Sequence, residues 1–453
     1  MDPLTGTHHR NVSRSSRPRS STRGPLDALD DPLSASSLPT SPIKDQPMAS
    51  SNSFTGASFQ ELDPLAPDDL PETLGKDLSF LLRHNVFHSL SHLDIPPPLR
   101  SEFLILNPGE PLSSSLSILE KQLSEGRFLV AAHFSASILT SSLISSTDIK
   151  LIFSLFYTRL ACLELSGNTV FAAQESKALE DLSSAFYYID LGPARADNDN
   201  DPEHEPASAP EPRHIVPWPL RVLAVRLQSI GFGDSRRGIG GLYEIGLEVR
   251  RDIMRKGVSK AERDVWNQRL ADLGIRSINA LIEMGDLDAA RRSLDIFQAP
   301  ELETDLTKMR KALLLLRVGD LDAATHVFGD LSETKEAALL KPLISMSDGR
   351  YSDAVAEWRV LGEDRTRTDG ALVAQNLAVC LLYTGQLDEA RQLLEAQVSA
   401  NHSFGSLIFN LSTIYELCSD NAGYLKGQLA EAIAKQPVTG QTNLDRPNSD
   451  LKL

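Results

Sequence analysis

Apolar residues recur at helical spacing along most of this chain. In Ser277–Met284, Ile278, Leu281 and Ile282 stand at i, i+3 and i+4, which is one stripe of a helix with about 3.6 residues per turn. Strand-like alternation of Val, Ile and Thr is scarce. Three stretches fall out of the helical pattern. Residues 1–72 are dense in Ser, Pro, Thr and Arg without a sustained apolar period, and they predict a disordered tail, because such a composition buries too little to offset the entropy of ordering. Residues 192–213 (GPARADNDNDPEHEPASAPEPR) lack any bulky apolar side chain and predict a flexible acidic linker. Residues 437–453 predict an irregular tail. What remains is a degenerate helical block over 73–191 and a more regular one over 214–436.

Aligning the helical regions on their glycines exposes a beat: Gly, polar residue, Leu or Tyr, two residues, Ala, three residues, large apolar residue. Four copies fit closely. They are Gly285, Leu287, Ala290 and Leu294; Gly319, Leu321, Ala324 and Phe328; Gly349, Tyr351, Ala354 and Trp358; and Gly385, Leu387, Ala390 and Leu394. The glycines lie 34, 30 and 36 residues apart, bracketing the tetratricopeptide period of about 34. Each position has a mechanical reason. The glycine ends the first helix of a pair in a tight, left-handed conformation. The Leu or Tyr plugs the elbow, and Asp288, Asp322, Asp353 or Asp388 beside it puts negative charge at the start of the second helix. The alanine sits where the two helices touch, and the large residue one turn on fills the groove against the next pair.

Weaker copies stand upstream. Gly126, Phe128 and Ala131 match well, Gly167 with Ala172 keeps only the glycine-to-alanine spacing, and a degenerate pair at Trp218–Leu242 would turn at Gly233. The predicted fold class is all-α, a tetratricopeptide-type helical solenoid behind a disordered N-terminal tail. Such pairs bury their faces only by stacking, and the stack offers a concave binding surface.

Charge narrows the partners. The 453 residues carry a net charge of −16, and beyond the first 23, which hold five arginines, 40 basic face 60 acidic residues. An acidic body of this kind repels phosphate backbones, which excludes nucleic acid as a partner on electrostatic grounds. Cys162, Cys380 and Cys418 are odd in number and far apart, which points to a reducing compartment. With no secretory signal and no run of about 18 apolar residues, the expectation is a cytoplasmic chain without direct membrane insertion.

Catalytic chemistry is not legible. His84, His88 and His92 fall at i, i+4 and i+8 of a possible helix, but no carboxylate completes a metal set, and Pro96, Pro97 and Pro98 follow at once; a surface or packing role is expected. Gly238, Gly240 and Gly241 lack the Gly-Lys-Ser/Thr ending of a phosphate loop and read as a loosened turn and helix start. Trp218 and Trp266 read as packing residues. A carboxylate clamp would need Lys, Arg and Asn projecting from the first helices of consecutive repeats. Arg276 and Asn279 stand in one repeat and Asn376 in another, without an organised basic set. No enzyme, cofactor or metal is expected.

At the C-terminal repeats the sequence stops being generic. Asn376–Gly385 (NLAVCLLYTG) and Leu407–Leu417 (LIFNLSTIYEL) resemble the final repeat and following helix of the subunit 12 family of the transport protein particle (TRAPP) complex. Val216, Pro217 and Trp218 match that family's Val-Pro-aromatic step into its second helical block, and Leu451, Lys452 and Leu453 match its closing Leu-Lys-Leu. The resemblance runs loosely from about Leu119 to the end. It implies a non-catalytic scaffold subunit of a tethering and Rab guanine-nucleotide-exchange complex in ER-to-Golgi transport and autophagy. Its partners would be other TRAPP subunits, such as the large accessory subunits 11 and 13, with a Rab-type GTPase met only indirectly. It also implies a place at the ER–Golgi interface as a peripheral cytoplasmic protein. The alternative is a tetratricopeptide co-chaperone or peptide-binding adaptor.

Overall fold

The computed structural model describes residues 62–65, 76–89, 111–190, 212–255, 258–297, 304–332, 334–364 and 369–436. Most of the expected tail at 1–72, most of the acidic stretch at 192–213 and the C-terminal residues 437–453, with His92 and Leu451–Leu453, lie outside them. Among the described residues stand sixteen α-helices that pair in sequence order into eight hairpins. The first block holds α1 (Leu112–Ser124) with α2 (Phe128–Leu139), and α3 (Ile149–Leu165) with α4 (Thr169–Ser176). The second opens with α5 (Trp218–Phe232) and α6 (Ser235–Met254), α7 (Lys260–Met284) and α8 (Leu287–Ile296), and α9 (Asp305–Val318) and α10 (Leu321–Gly329). It closes with α11 (Leu340–Ser347) and α12 (Tyr351–Glu363), α13 (Gly370–Tyr383) and α14 (Leu387–Ser399), and α15 (Gly405–Cys418) and α16 (Ala422–Ala434). Each helix packs chiefly on its neighbours in sequence, and first helices also touch the next first helix, as α3 does α5, α7 does α9 and α9 does α11. This is an all-α solenoid of the tetratricopeptide type.

Seven of the eight hairpins turn on a glycine with φ between 65° and 86°: Gly126, Gly167, Gly233, Gly285, Gly319, Gly349 and Gly385. Each turn is closed twice. At the α7–α8 corner, for example, Gly285 N donates to Ile282 O and Asp286 N to Leu281 O, both at 3.0 Å, which satisfies two carbonyls the helix end would leave bare. Five residues after each glycine comes a small, buried residue: Ala131, Ala172, Gly238, Ala290, Ala324, Ala354 and Ala390. All six alanines are 0% exposed.

Two local readings change. Leu287 is 42% exposed, and Leu321, Tyr351 and Leu387 are half-buried. These residues start the second helix instead of plugging the elbow, and Tyr351 stacks on Tyr383 of the next pair with centroids 4.2 Å apart. Two of these second helices, α8 and α10, are capped two residues earlier than the aspartates that the sequence singles out. Asp286 accepts from Ala289 N at 3.0 Å and Asp320 from Ala323 N at 3.1 Å, whereas Asp288, Asp322, Asp353 and Asp388 sit in the first turn, where they complement the dipole.

Gly238, Gly240 and Gly241 lie inside α6, not in a turn. A Cβ on Gly238 would meet the Ser229 Cβ at 2.5 Å, and one on Gly241 the Val225 Cγ1 at 2.8 Å. Gly238 and Gly241 let α6 close on α5, whereas Gly240 faces open space, and Gly238 takes the place the alanine takes in the six other glycine-turned hairpins.

The two blocks are joined. One apolar core runs from Leu78 through Phe153, Phe156 and Leu160 to Leu220, Ala224 and Leu227, on both sides of the acidic stretch. Helix α4 packs on α5, so closely that a Cβ on Gly231 would lie 2.9 Å from Ala173 O. The ends of the acidic stretch meet in a two-stranded antiparallel bracket, β1 (Tyr188–Asp190) with β2 (Pro212–His214), in register Tyr188 to His214. Pro212 and Arg213 are therefore strand, not linker. Their backbone groups find partners in β1. Inside the expected tail, too, residues 62–65 are described, and Asp63 is 6% exposed because its carboxylate is bound.

Candidate interaction surface

The first helices α5, α7 and α9, with the start of α6, line a groove. On α7 the stripe Leu270, Leu273, Ser277, Ile278 and Leu281 is buried. The residues at complementary spacing, Asp272, Arg276, Asn279 and Glu283, fall on the opposite face. On α9, Ala312, Leu314 and Leu315 are buried, and Arg310 and Arg317, seven apart, share one exposed face. With Arg226 from α5, these polar side chains surround a cavity of about 570 Å³ whose apolar floor includes Val222, Ile230, Leu242 and Ile275.

The charges are unevenly matched. Arg276 Nε lies 2.6 Å from Asp272 Oδ2, and Arg226 lies 3.3 Å from Glu164 and 4.0 Å from Glu283. Arg317 Nη1 donates only to the neutral amide oxygen of Asn279, at 2.8 Å. Arg276 also bears on α3, where burial raises the Tyr157 hydroxyl pKa and the nearby guanidinium partly opposes the shift.

No organised basic set is visible along the sequence, but the fold assembles one. Arg276 and Asn279 belong to a cluster completed by Arg226, Arg310 and Arg317, which are 50, 34 and 41 residues from Arg276 along the chain. Local spacing reveals the exposed stripes; only stacking reveals that three of them converge. Asn376 is not part of the cluster, since its Nδ2 donates to Leu372 O of its own helix at 2.9 Å.

A second constellation lies at the block junction. Trp218 and Trp266 meet edge to face with centroids 6.0 Å apart, and the Arg269 guanidinium lies 4.9 Å and 4.6 Å from their respective rings. Asp63 pairs with Arg269 and accepts from Trp218 N at 2.8 Å. α5 has Pro217 at its N-cap and no side-chain cap of its own, so Asp63 supplies that cap from 155 residues away. Beside it His214 is neutral: Nε2 donates to Leu182 O and Nδ1 accepts from Val216 N, both at 3.0 Å. Burial, reinforced by the Arg221 cation, pushes its pKa down from 6.5 to about 3.

His84 and His88 do not share a helix. His84 lies in a short 3-10 turn, His84–Val86, and His88 beyond it stacks on Phe171 with centroids 5.2 Å apart. Among the described residues no three His, Cys, Asp or Glu side chains converge as metal ligands would. Burial pushes the Cys380 thiol up to about 11, away from nucleophile chemistry. No described helix is long and apolar enough to cross a membrane.

No family model matches the chain. It is 24% identical over 257 residues to trafficking protein particle complex subunit 12 of Mus musculus, covering 49% of this chain and 31% of that protein. The Homo sapiens subunit 12 is 25% identical over 248 residues, covering 49% of this chain and 34% of that one. At 31% and 34%, the chain spans about a third of the length of the curated relatives it matches. Among solved structures, the P58(IPK) TPR domain aligns over 75% of this chain and 96% of that chain at 10% identity, with a TM-score of 0.19. The fold assignment rests on the hairpins themselves, and the chain is a helical-repeat protein similar in sequence, over half its length, to trafficking protein particle complex subunit 12.

Proposed function

We propose that the chain is a non-catalytic scaffold, an accessory subunit of a TRAPP-type complex that holds other subunits through its helical stack. The observation that carries this reading is the sequence similarity to two curated subunit 12 proteins, in a chain whose described residues form a stack with exposed first-helix faces. A stack of this kind presents rows of side chains from successive hairpins to one partner. The partners in this reading are other TRAPP subunits, with large accessory subunits such as 11 and 13 foremost. Contact with a Rab-type GTPase is indirect, and the setting is the cytoplasmic face of the early secretory pathway, in ER-to-Golgi transport and autophagy. A peptide-binding adaptor is the second reading, and the arginine-lined groove favours it.

The test is purification of the tagged full chain from cells under gentle conditions, with identification of every co-purifying chain. TRAPP subunits in stoichiometric amounts are expected. Recovery as a lone monomer, or with chaperones alone, would overturn the reading.

A further inference from the structure

Within the groove between α5, α7 and α9, carboxylates run out before guanidiniums do. Of the ionised side chains that line it, Arg226, Arg276, Arg310 and Arg317 face Asp272 and Glu283. Asp272 is taken by Arg276, and Arg226 is held by Glu164 at 3.3 Å and more loosely by Glu283 at 4.0 Å. On the α9 side Arg317 has only a neutral amide for a partner, and Arg310 makes no hydrogen bond or ion pair with any described residue. The rest of the chain points the other way in charge, with 61 acidic against 45 basic residues overall. A focus of positive charge in an acidic molecule draws a carboxylate-bearing segment and keeps it in register, whereas a long polyanion meets repulsion beyond the groove.

The spacing defines the segment. Arg310 and Arg317 are two turns apart on one face, about 10 Å along the axis at a rise of about 1.5 Å per residue. An extended peptide in the polyproline II conformation covers about the same distance in three residues, at about 3.1 Å each, and its three residues per turn bring side chains i and i+3 back to one face. Two carboxylates three positions apart would thus meet the two guanidiniums, each planar fork matching a carboxylate with two parallel hydrogen bonds. The floor of the same groove is apolar, with Ile230 41% exposed and Ile275 half-buried. A concave site with this floor suits a side chain such as Leu and cannot lie flat on a bilayer.

We propose that this groove binds an extended acidic peptide segment of a partner chain, carrying two carboxylates three residues apart and an apolar side chain between them, through Arg310 and Arg317. This deepens the scaffold reading by giving one of its contacts a chemistry, and it rests on that reading only for the source of the segment.

The probe is a synthetic peptide of about twelve residues containing Asp-Leu-Ser-Glu, titrated calorimetrically into the full chain, beside the same peptide with Asn and Gln for the acids. Binding of the acidic peptide alone is expected, weakening steeply with salt. It should fall by roughly tenfold or more in the Arg310→Ala, Arg317→Ala double variant, a loss on the order of 1.4 kcal/mol. It should stay unchanged in Lys435→Ala, which alters an exposed cation at the end of α16. The Arg310→Glu, Arg317→Glu variant should take up a peptide with Lys at both acidic positions, which shows that a loss of binding is not a loss of folding. Equal binding of the neutral peptide, or undiminished binding by the double alanine variant, overturns the proposal. So does binding seen only after the acids from Asp197 to Glu211 are changed to amides, because the occupant would then be the chain's own segment. If TRAPP subunits co-purify with the chain but no peptide binds, only this proposal falls. If the peptide binds but the chain is recovered alone, only the assembly reading falls.

Discussion

Between α2 and α4 the interior of the stack contains an ion pair; between α12 and α15 the corresponding interior contains Trp358, Leu381, Leu394, Leu407 and Leu411. The pair is Arg159 with Glu175, 1% and 0% exposed, joined by Nε–Oε2 at 2.9 Å and Nη2–Oε1 at 2.7 Å. Arg159 also donates to Ala132 O at 2.8 Å and His88 O at 2.9 Å, and Glu175 Oε1 accepts from His88 N at 2.8 Å. One pair thereby ties α3 and α4 to α2 and to a segment well before α1. In the second region the beat of glycine, alanine and large apolar residue does the same work by shape. Where the repeat is degenerate, directional bonds hold the hairpins in place; where it is regular, close packing is enough.

The comparison breaks most readily at Glu175. Glu175→Ala strands a guanidinium and an amide in the interior, and should destabilise the first block by about 3 to 5 kcal/mol. Calorimetry should then show that block melting ahead of the second, which keeps its own contacts with nearest neighbours. A single unshifted transition would mean that the pair does not hold the block. In the regular region the matching test is Ala390→Leu, which overpacks the fully buried α13–α14 contact. It should lower stability by about 1 to 3 kcal/mol, read by urea unfolding. An unchanged midpoint would show that close approach at the alanine is not required.

A pH-dependent effect, absent at neutral pH, sharpens the contrast at the junction. The folded His214 imidazole has its pKa near 3 against 6.5 for the free side chain, so between those values the unfolded chain binds a proton that the folded chain refuses. The contribution is fully present above pH 6.5 and is lost as pH falls, by up to about 1.4 kcal/mol per pH unit. Tm followed from pH 7 down to 4 should fall less steeply in His214→Gln than in the parent chain. Parallel curves would contradict a buried neutral histidine.

The glycines explain why so much of the architecture could be read from the sequence. A hairpin corner is a local event, settled by a residue that adopts positive φ and by a small residue five places on, so all seven glycine corners are visible in one dimension. Continuing the beat to Gly233 would also have placed Gly238 at the alanine position and explained the glycine-rich run in α6. The eighth hairpin turns through Ser419–Asn421 without a glycine and carries no such mark. What stayed hidden is non-local. Asp63 reaches Arg269 across 206 residues, Arg159 gathers partners from three segments, and the groove arginines come from three hairpins. No periodicity links such positions, because only the stacking of the hairpins brings them together.

The central claim is that two differently built blocks form one stack across the acidic stretch, through the shared core of α3, α4 and α5 and the close approach at Gly231. Replacing residues 199–204 with a specific protease site, cutting, and running the product on size exclusion without denaturant tests it directly. The account predicts that the two pieces elute together and melt together. Separate elution of two folded pieces would contradict it.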